Sequence, residues 1–322
     1  MSLPFFDMLG QYFPHSTIDI IAKETITAVF ENHPAIRTIY HFSKSHVRGF
    51  WSLFQYGRGL KDRRYDLFIT LAPSFSSALI GYGTDSPIRV GYSGDGRSLL
   101  LTHTLPAPQN VHRVQAYCDL LGVLNSQPGN QVKIPDVVFP FSEKEQGTSG
   151  FSKQAHTQYI VFNVNSEAQS RRLPLKTWIE LADRLLADTS QKRKIFFIGT
   201  TAEQARVQQV MQHIHDLDAL YDFSGKTSLG ELALILRDSD VVVSNDSGPM
   251  HLANAVGTPV VTFFGAGNTA ETAPFNAGQA VVLNKHVACS PCVKNVCRFP
   301  IVRCLEQITV DEIYGSILQL LS

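Results

Sequence analysis

Apolar positions along this chain repeat with two alternating periods. Leu3, Phe6, Leu9 and Phe13 recur at helical spacing, so residues 3–12 read as a helix, and the run S-T-I-D-I-I-A that follows reads as a strand. The pattern then predicts a helix over 25–31, a strand over 36–41, a helix over 50–60 and a strand over 65–71. A helix over 74–81, a strand over 89–92 and a helix over 112–121 complete the first series. Strands separated by helices call for parallel pairing with crossover connections.

Residues 142–158 break the pattern with a polar stretch rich in Gly and Ser. It reads as a linker or insertion. The predicted organisation is a domain over 1–145, a linker over 146–158 and a second domain over 159–322. The second domain repeats the alternation, with strands at 159–163, 194–199, 220–223, 240–243 and 259–264. Helices are expected at 174–187, 203–213, 228–237 and 249–256, and a closing helix at 309–320 starts with a capping-box pair, Thr309 and Glu312. Two doubly wound α/β domains would leave a cleft between them. In open α/β sheets ligands bind outside the carboxyl ends of the strands, where polar loops at 163–173, 199–203, 223–228, 244–248 and 265–272 converge.

Composition narrows the function. The chain has 322 residues, 44% hydrophobic and 17% charged, enough for two cores. A formal net charge of zero argues against a dedicated nucleic-acid binder. No apolar run reaches the ~18 residues of a membrane span. The start, M-S-L-P-F-F-D-M-L-G, has neither the cationic opening nor the long apolar core of a secretory signal, so a cytoplasmic location is expected. Four of the five cysteines, Cys289, Cys292, Cys297 and Cys304, are spaced C-x2-C-x4-C-x6-C. In the cytoplasm they would be thiols. They read either as ligands for zinc or an iron–sulfur cluster or as partly buried thiols in a loop.

The densest chemical signal lies in D-V-V-V-S-N-D-S-G-P-M-H-L-A-N-A-V-G-T-P-V-V-T-F-F-G, residues 240–265. Asp246, Ser247 and Gly248 fall in a turn before a helix that Pro249 can open. The unpartnered N–H groups of a first helical turn hold anions. Ser247 can add a hydroxyl and His251 a ring N–H. Asp246 would repel a phosphate and is better suited to backbone N–H groups or ligand hydroxyls. The alternative is plain helix capping, but a cap needs one such residue and four stand here. Upstream, Ser166, Arg171 and Arg172 precede a helix, and arginine suits phosphate oxygens. Glu203 could bind ribose hydroxyls or could simply cap a helix with Thr200; Ser228 and Glu231 form a similar pair. F-S-G-K-T-S at 223–228 brings Thr227 near the same end of the sheet without P-loop spacing. The site reads as one for a nucleotide diphosphate, with a nucleotide sugar as the natural substrate.

The run S-N-D-S-G-P-M-H-L-A-N-A-V-G-T-P-V-V-T-F-F-G resembles the signature of glycosyltransferase family 9, the heptosyltransferases of lipopolysaccharide core assembly. R-R-L-P-L-K-T-W, the G-T-T-A-E turn, S-G-K-T-S-L-G-E-L and the cysteine-rich tail before I-T-V-D-E-I extend the likeness. In the first half, Y-D-L-F-I-T-L-A-P-S-F-S-S-A-L and I-R-V-G-Y-S-G-D-G-R resemble the second heptosyltransferases of that pathway. The resemblance implies a GT-B fold of two Rossmann-like domains facing a central cleft, the first on the acceptor side. It implies inverting transfer of heptose from ADP-heptose to a lipid-linked core oligosaccharide, with no required metal or cofactor. By motif position, Ser166, Arg171, Glu203, Thr227, Asp246, Ser247, Gly248, Met250 and His251 would bind the donor, Arg171 standing where the family has a lysine. A lipid-linked acceptor further implies peripheral contact with the inner face of the inner membrane, through Lys61, Arg63 and Arg64. Family members also carry a first strand and a Gly-Asp loop, whose aspartate serves as base, before the helix that starts here at Leu3. Neither is in this sequence, so the catalytic aspartate is expected upstream of Met1, and the chain as written should bind donor better than it turns it over. Two other readings stay open: a nucleotide-sugar binding protein without turnover, and another GT-B enzyme such as an epimerase.

Overall fold

A computed structural model describes residues 1–43, 47, 49–124 and 133–322. The chain divides into two compact units, Met1–Pro135 and Asp136–Ser322.

The first unit contains α1 (Leu3–Tyr12), β1 (Ile18–Lys23), β2 (Ile36–Phe42), α2 (Gly49–Arg58), β3 (Leu67–Ile69), α3 (Phe75–Gly83), β4 (Ile88–Tyr92), β5 (His103–Leu105) and α4 (Arg113–Gly122). Its strands are all parallel but form two sheets, β1-β2 and β3-β4-β5. Side chains bridge them: the Tyr65 hydroxyl donates to Asp19 Oδ2 on β1 at 2.6 Å. The helix expected over 25–31 is instead a 3-10 helix, Glu24–Val29. Thr25, Ile26, Thr27 and Val29 are β-branched and poor α-formers, and the Thr27 hydroxyl donates to the Glu24 carbonyl at 3.1 Å, reinforcing the tighter turn.

The second unit contains α5 (Glu143–Gln146), β6 (Thr157–Asn163), α6 (Leu175–Ala187), β7 (Lys192–Phe197), α7 (Gln204–Met211), β8 (Leu220–Asp222), α8 (Leu229–Asp238), β9 (Val241–Asn245), α9 (Gly248–Ala255), β10 (Val260–Phe264), α10 (Thr269–Thr272), β11 (Ala280–Asn284), α11 (Arg303–Glu306) and α12 (Val310–Leu321). Six parallel strands run in the order β11-β10-β9-β6-β7-β8. β9 and β10 are buried at every position, which is why V-V-V and V-V-T-F-F read as near-continuous apolar runs rather than alternations. Trp178 of α6 lies against Phe162 of β6 and Phe263 of β10, with centroids 5.1 and 5.7 Å away, and fixes that helix on the sheet. Capping boxes at Thr200/Glu203, Ser228/Glu231 and Thr309/Glu312 set three helix starts as the sequence predicts.

Residues 146–158, expected as a linker, belong to the second unit. The Gly150 N–H donates to Asp238 Oδ2 at 2.7 Å, and a Cβ on Gly150 would stand 2.5 Å from the Ile235 nitrogen. Phe151 stacks between Tyr159 and Phe196, and Thr157 and Gln158 already belong to β6. A glycine chosen for close approach and one aromatic anchor outweigh the polar composition that marks the segment as a spacer.

Candidate functional site

The chain leaves β6 towards β7 and β8 on one side, then returns to place β9, β10 and β11 on the other. The carboxyl ends of β6 and β9 therefore flank the topological switch point of the second unit, where open parallel sheets bind ligands. Two loops meet there, one after Asn163 and one after Asn245.

Asparagines knit these loops together. Asn163 Nδ2 donates to Ser244 Oγ at 2.9 Å and to Ser247 Oγ at 2.7 Å. Asn245 Oδ1 accepts from the Leu173 N–H at 2.9 Å, while its Nδ2 donates to the carbonyls of Asn163 and Asn165 at 3.3 Å each. Ser166 Oγ donates to the Asp246 carbonyl at 3.2 Å. Asn163 and Asn165 are positioning residues that sequence reasoning missed, and Asn245, one of the four polar residues counted before the helix, joins them; their signal was the N-V-N and S-N-D-S spacing at the ends of two buried strands. Arg172, a candidate phosphate ligand in the sequence, spends its Nε on the Ser166 carbonyl at 2.7 Å and so holds the loop's shape.

At the centre stands Asp246, 3% exposed. Its Oδ2 lies 3.3 Å from Arg171 Nη1, yet neither that oxygen nor Arg171 Nε makes a hydrogen bond. The contact is an ion pair of poor alignment between groups that retain bonding capacity. Burial raises the Asp246 carboxyl to about 6, against the pull of Arg171. The Asn165 Oδ1 atom, in the loop after β6, is also buried and unsatisfied. Three unsatisfied polar atoms at one switch point are a ligand-shaped deficit, since buried polar groups are normally paired.

Helix α9 begins at Gly248, directly after this cluster. Its N-cap, Ser247, makes no side-chain cap; the Ser247 hydroxyl donates instead to the Asn245 carbonyl at 3.2 Å. Capping was the plain alternative for this polar run, and the side chain does something else. Gly248 is exposed, and a Cβ there would meet nothing within 4 Å, so open space lies before the helix start. His251 is partly exposed on the first turn. Met250 is not: it is fully buried, and its Sδ accepts from Thr262 Oγ1 at 3.0 Å. The Met250 side chain, expected among the donor ligands, packs α9 onto β10 because the helical period turns it inward; its backbone N–H remains one of the first-turn groups of α9.

Glu203 and Thr227 sit one and two strands away, at the ends of β7 and β8. Their loops touch: the Gly225 N–H donates to the Gly199 carbonyl at 2.8 Å, and Gln204 Nε2 donates to the Ser224 carbonyl at 2.8 Å. Glu203 Oε2 accepts from the Thr200 N–H and hydroxyl at 2.8 and 2.9 Å, so its capping role is filled.

A third wall comes from the cysteine-rich tail. The Val293 N–H donates to the Ala266 carbonyl at 2.8 Å, and Ser290 Oγ donates to that of Gly265. On the other side the Ser170 N–H donates to the Asn295 carbonyl at 3.1 Å, and Ser170 Oγ to that of Lys294. Gly267, in the loop after β10, lies so close that a Cβ would stand 2.0 Å from Asp246 Oδ2. Cys304 is buried against Gly265 and its thiol is pushed up by that burial. Among the described residues no three His, Cys, Asp or Glu side chains gather as a metal-ligand set; Cys289, Cys292 and Cys297 are partly buried and Cys304 is buried.

Comparison with known proteins agrees with this geometry. Residues 53–302 match the family model for glycosyltransferase family 9 (heptosyltransferase). The lipopolysaccharide core heptosyltransferase OpsX of Haemophilus influenzae is 23% identical over 85% of this chain and 77% of its own. The lipooligosaccharide heptosyltransferase 2 of Haemophilus ducreyi is 26% identical over 88% and 84%. Among solved structures, the ADP-heptose heptosyltransferase II of Escherichia coli matches with a TM-score of 0.81 at 21% identity, covering 99% of this chain and 94% of that one. A family 9 glycosyltransferase of Veillonella parvula matches at 0.83 and 22%, covering 99% and 92%. These structures establish the fold as an α/β GT-B fold of two Rossmann-like units. With most of its length matched by the family model, and with the family's motif built around the switch point, the chain belongs to glycosyltransferase family 9, the heptosyltransferases.

Proposed function

We propose that this chain transfers heptose, with inversion, from ADP-heptose to the inner core of a lipid-linked lipopolysaccharide acceptor, in the cytoplasm at the inner face of the inner membrane, and without metal or cofactor. One observation carries the reading: the unsatisfied pair Arg171–Asp246 beside the uncapped start of α9 at a sheet switch point. Arg171 and the first-turn N–H groups of α9 answer the diphosphate. Asp246 Oδ2 takes a hydroxyl hydrogen of the sugar. Ser247, Gly248 and His251 line the approach, Ser166 supports the loop beneath, and Glu203 and Thr227 lie towards the nucleoside end. The names of the relatives, heptosyltransferases of lipopolysaccharide and lipooligosaccharide cores, support the choice of sugar and acceptor.

The test is differential thermal stabilisation. ADP-heptose at a hundredfold excess over its Kd should stabilise the fold by about 2.7 kcal/mol, and UDP-sugars should do far less. Arg171→Ala should remove the shift, whereas Arg171→Lys, which keeps the charge, should retain much of it. An unchanged shift in Arg171→Ala would remove the assigned site.

A further inference from the structure

In the first unit, helices α2 and α3 meet backbone to backbone. A Cβ on Gly57 would stand 2.1 Å from the Ile80 carbonyl oxygen, and one on Gly83 would stand 2.5 Å from that of Phe54. With no side chains between the helices at this crossing, their large residues collect at its rim. Phe50 is 67% exposed, Trp51 72% and Tyr82 47%. The rings fall into two sets that start from neighbouring residues of α2: Trp51 to Phe54 at 5.6 Å and Phe54 to Tyr82 at 6.2 Å, and beside them Phe50 to Phe75 at 5.5 Å between centroids. The strip ends among cations. The Arg89 guanidinium stands 5.4 Å from the Tyr82 ring centre, and Lys61 pairs with Asp85 at 2.6 Å. Lys61 foremost, with smaller contributions from Arg58 and Arg89, holds the Asp85 carboxyl below its usual range. Along residues 49–66, Arg58, Lys61, Arg63 and Arg64 outnumber Asp62 and Asp66.

We infer that this aromatic strip and its basic rim form a seat for an anionic lipid surface, with Phe50 and Trp51 entering the boundary between headgroups and acyl chains. A contiguous exposed apolar patch marks an interaction site. Trp and Tyr, apolar in body and polar at the tip, settle at a boundary that is wet on one side. Lys and Arg beside such rings answer lipid phosphates, and the two terms add in interfacial binding. The inference deepens the reading of a lipid-borne acceptor and rests on it for the choice of a lipid over a protein partner.

The chain carries its own reporter. Of its two tryptophans, Trp178 is fully buried in the second unit, so an emission change on binding belongs to Trp51. Full-length protein is mixed with phosphatidylcholine vesicles and with vesicles that also contain phosphatidylglycerol. The anionic vesicles should carry the protein on flotation, shift its emission to the blue and, with brominated acyl chains, quench it. Phe50→Ser/Trp51→Ser should lower vesicle affinity roughly tenfold or more, and Arg58→Gln/Arg63→Gln/Arg64→Gln should abolish the preference for anionic lipid. Both variants should keep the melting shift with ADP-heptose, which also shows that they are folded. Undiminished flotation of the aromatic variant overturns the seat, as does a blue shift that depends on protein concentration without lipid, the mark of self-association. Failure of the wild type to float while ADP-heptose still stabilises it overturns the seat and spares the donor reading. Flotation without any ADP-heptose shift does the reverse.

Discussion

Asp246 is an acidic group placed where an anion is expected to bind. Its carboxyl, raised to about 6 by burial, is largely ionised at neutral pH and adds repulsion to the approach of a diphosphate. Bound phosphates raise the group further, so donor binding takes up a proton. Affinity for ADP-heptose, whose diester phosphates do not titrate in this range, should therefore climb as pH falls from about 8 and level off only at about pH 5, well below the titration of the free carboxyl. The full rise should be about tenfold for each pH unit by which bound phosphates lift the carboxyl's titration. Asp246→Asn keeps the shape and a carbonyl acceptor while losing the charge, so its affinity should be flat across the range; calorimetric titration at several pH values reads both. At this scale the sequence was half legible. Polar residues clustered after an apolar run announced the site, but the helical period that buries Met250 and the bonds that occupy Arg172 depend on packing that no local pattern carries.

The segment from β9 through α9 separates two uses of glycine. Nothing lies within 4 Å of a Cβ at Gly248, so the chain itself does not require glycine there. Gly248→Ala should leave the melting temperature unchanged or raise it, since alanine is the better helix former by up to ~1 kcal/mol. It should still weaken ADP-heptose binding, because the open space is the ligand's path to the helix start. Gly267 is the converse. An added methyl would collide with Asp246 Oδ2, so Gly267→Ala should lower both melting temperature and donor affinity. Equal behaviour of the two variants in paired melting and titration experiments would contradict this division. Capping boxes were legible at this scale because Ser or Thr three residues before Glu is a local device. Strands β5 and β11 were not: one is three residues long, and the other is a half-buried edge whose pairing with β10 is set by tertiary structure.

At the scale of the whole chain, the alternation of periods disclosed two parallel α/β halves, but the division between them falls at Pro135/Asp136 rather than near residue 145. Composition marked the wrong place because two buried anchors precede the polar stretch. Val137 and Phe139 are each 4% exposed, the Phe139 N–H donates to the Ala255 carbonyl at 2.9 Å, and Asn276 holds Val137 through both N–H and carbonyl. A fragment of residues 136–322, which contains every proposed donor ligand, should fold and keep its melting shift with ADP-heptose. One that starts at Thr157 loses Phe139 and Phe151 and should melt well below it, since emptying a single buried phenylalanine site costs about 3–5 kcal/mol. Comparable melting of the two fragments would return the boundary to the polar stretch.

The tail between Ser290 and Asn295 is hydrogen-bonded at one end to the loop after β10 and at the other to the loop after β6. Surface connections ordinarily tolerate insertions. This one is tied at both ends, so a residue added within it must either bulge outward or push one of the two loops from its place.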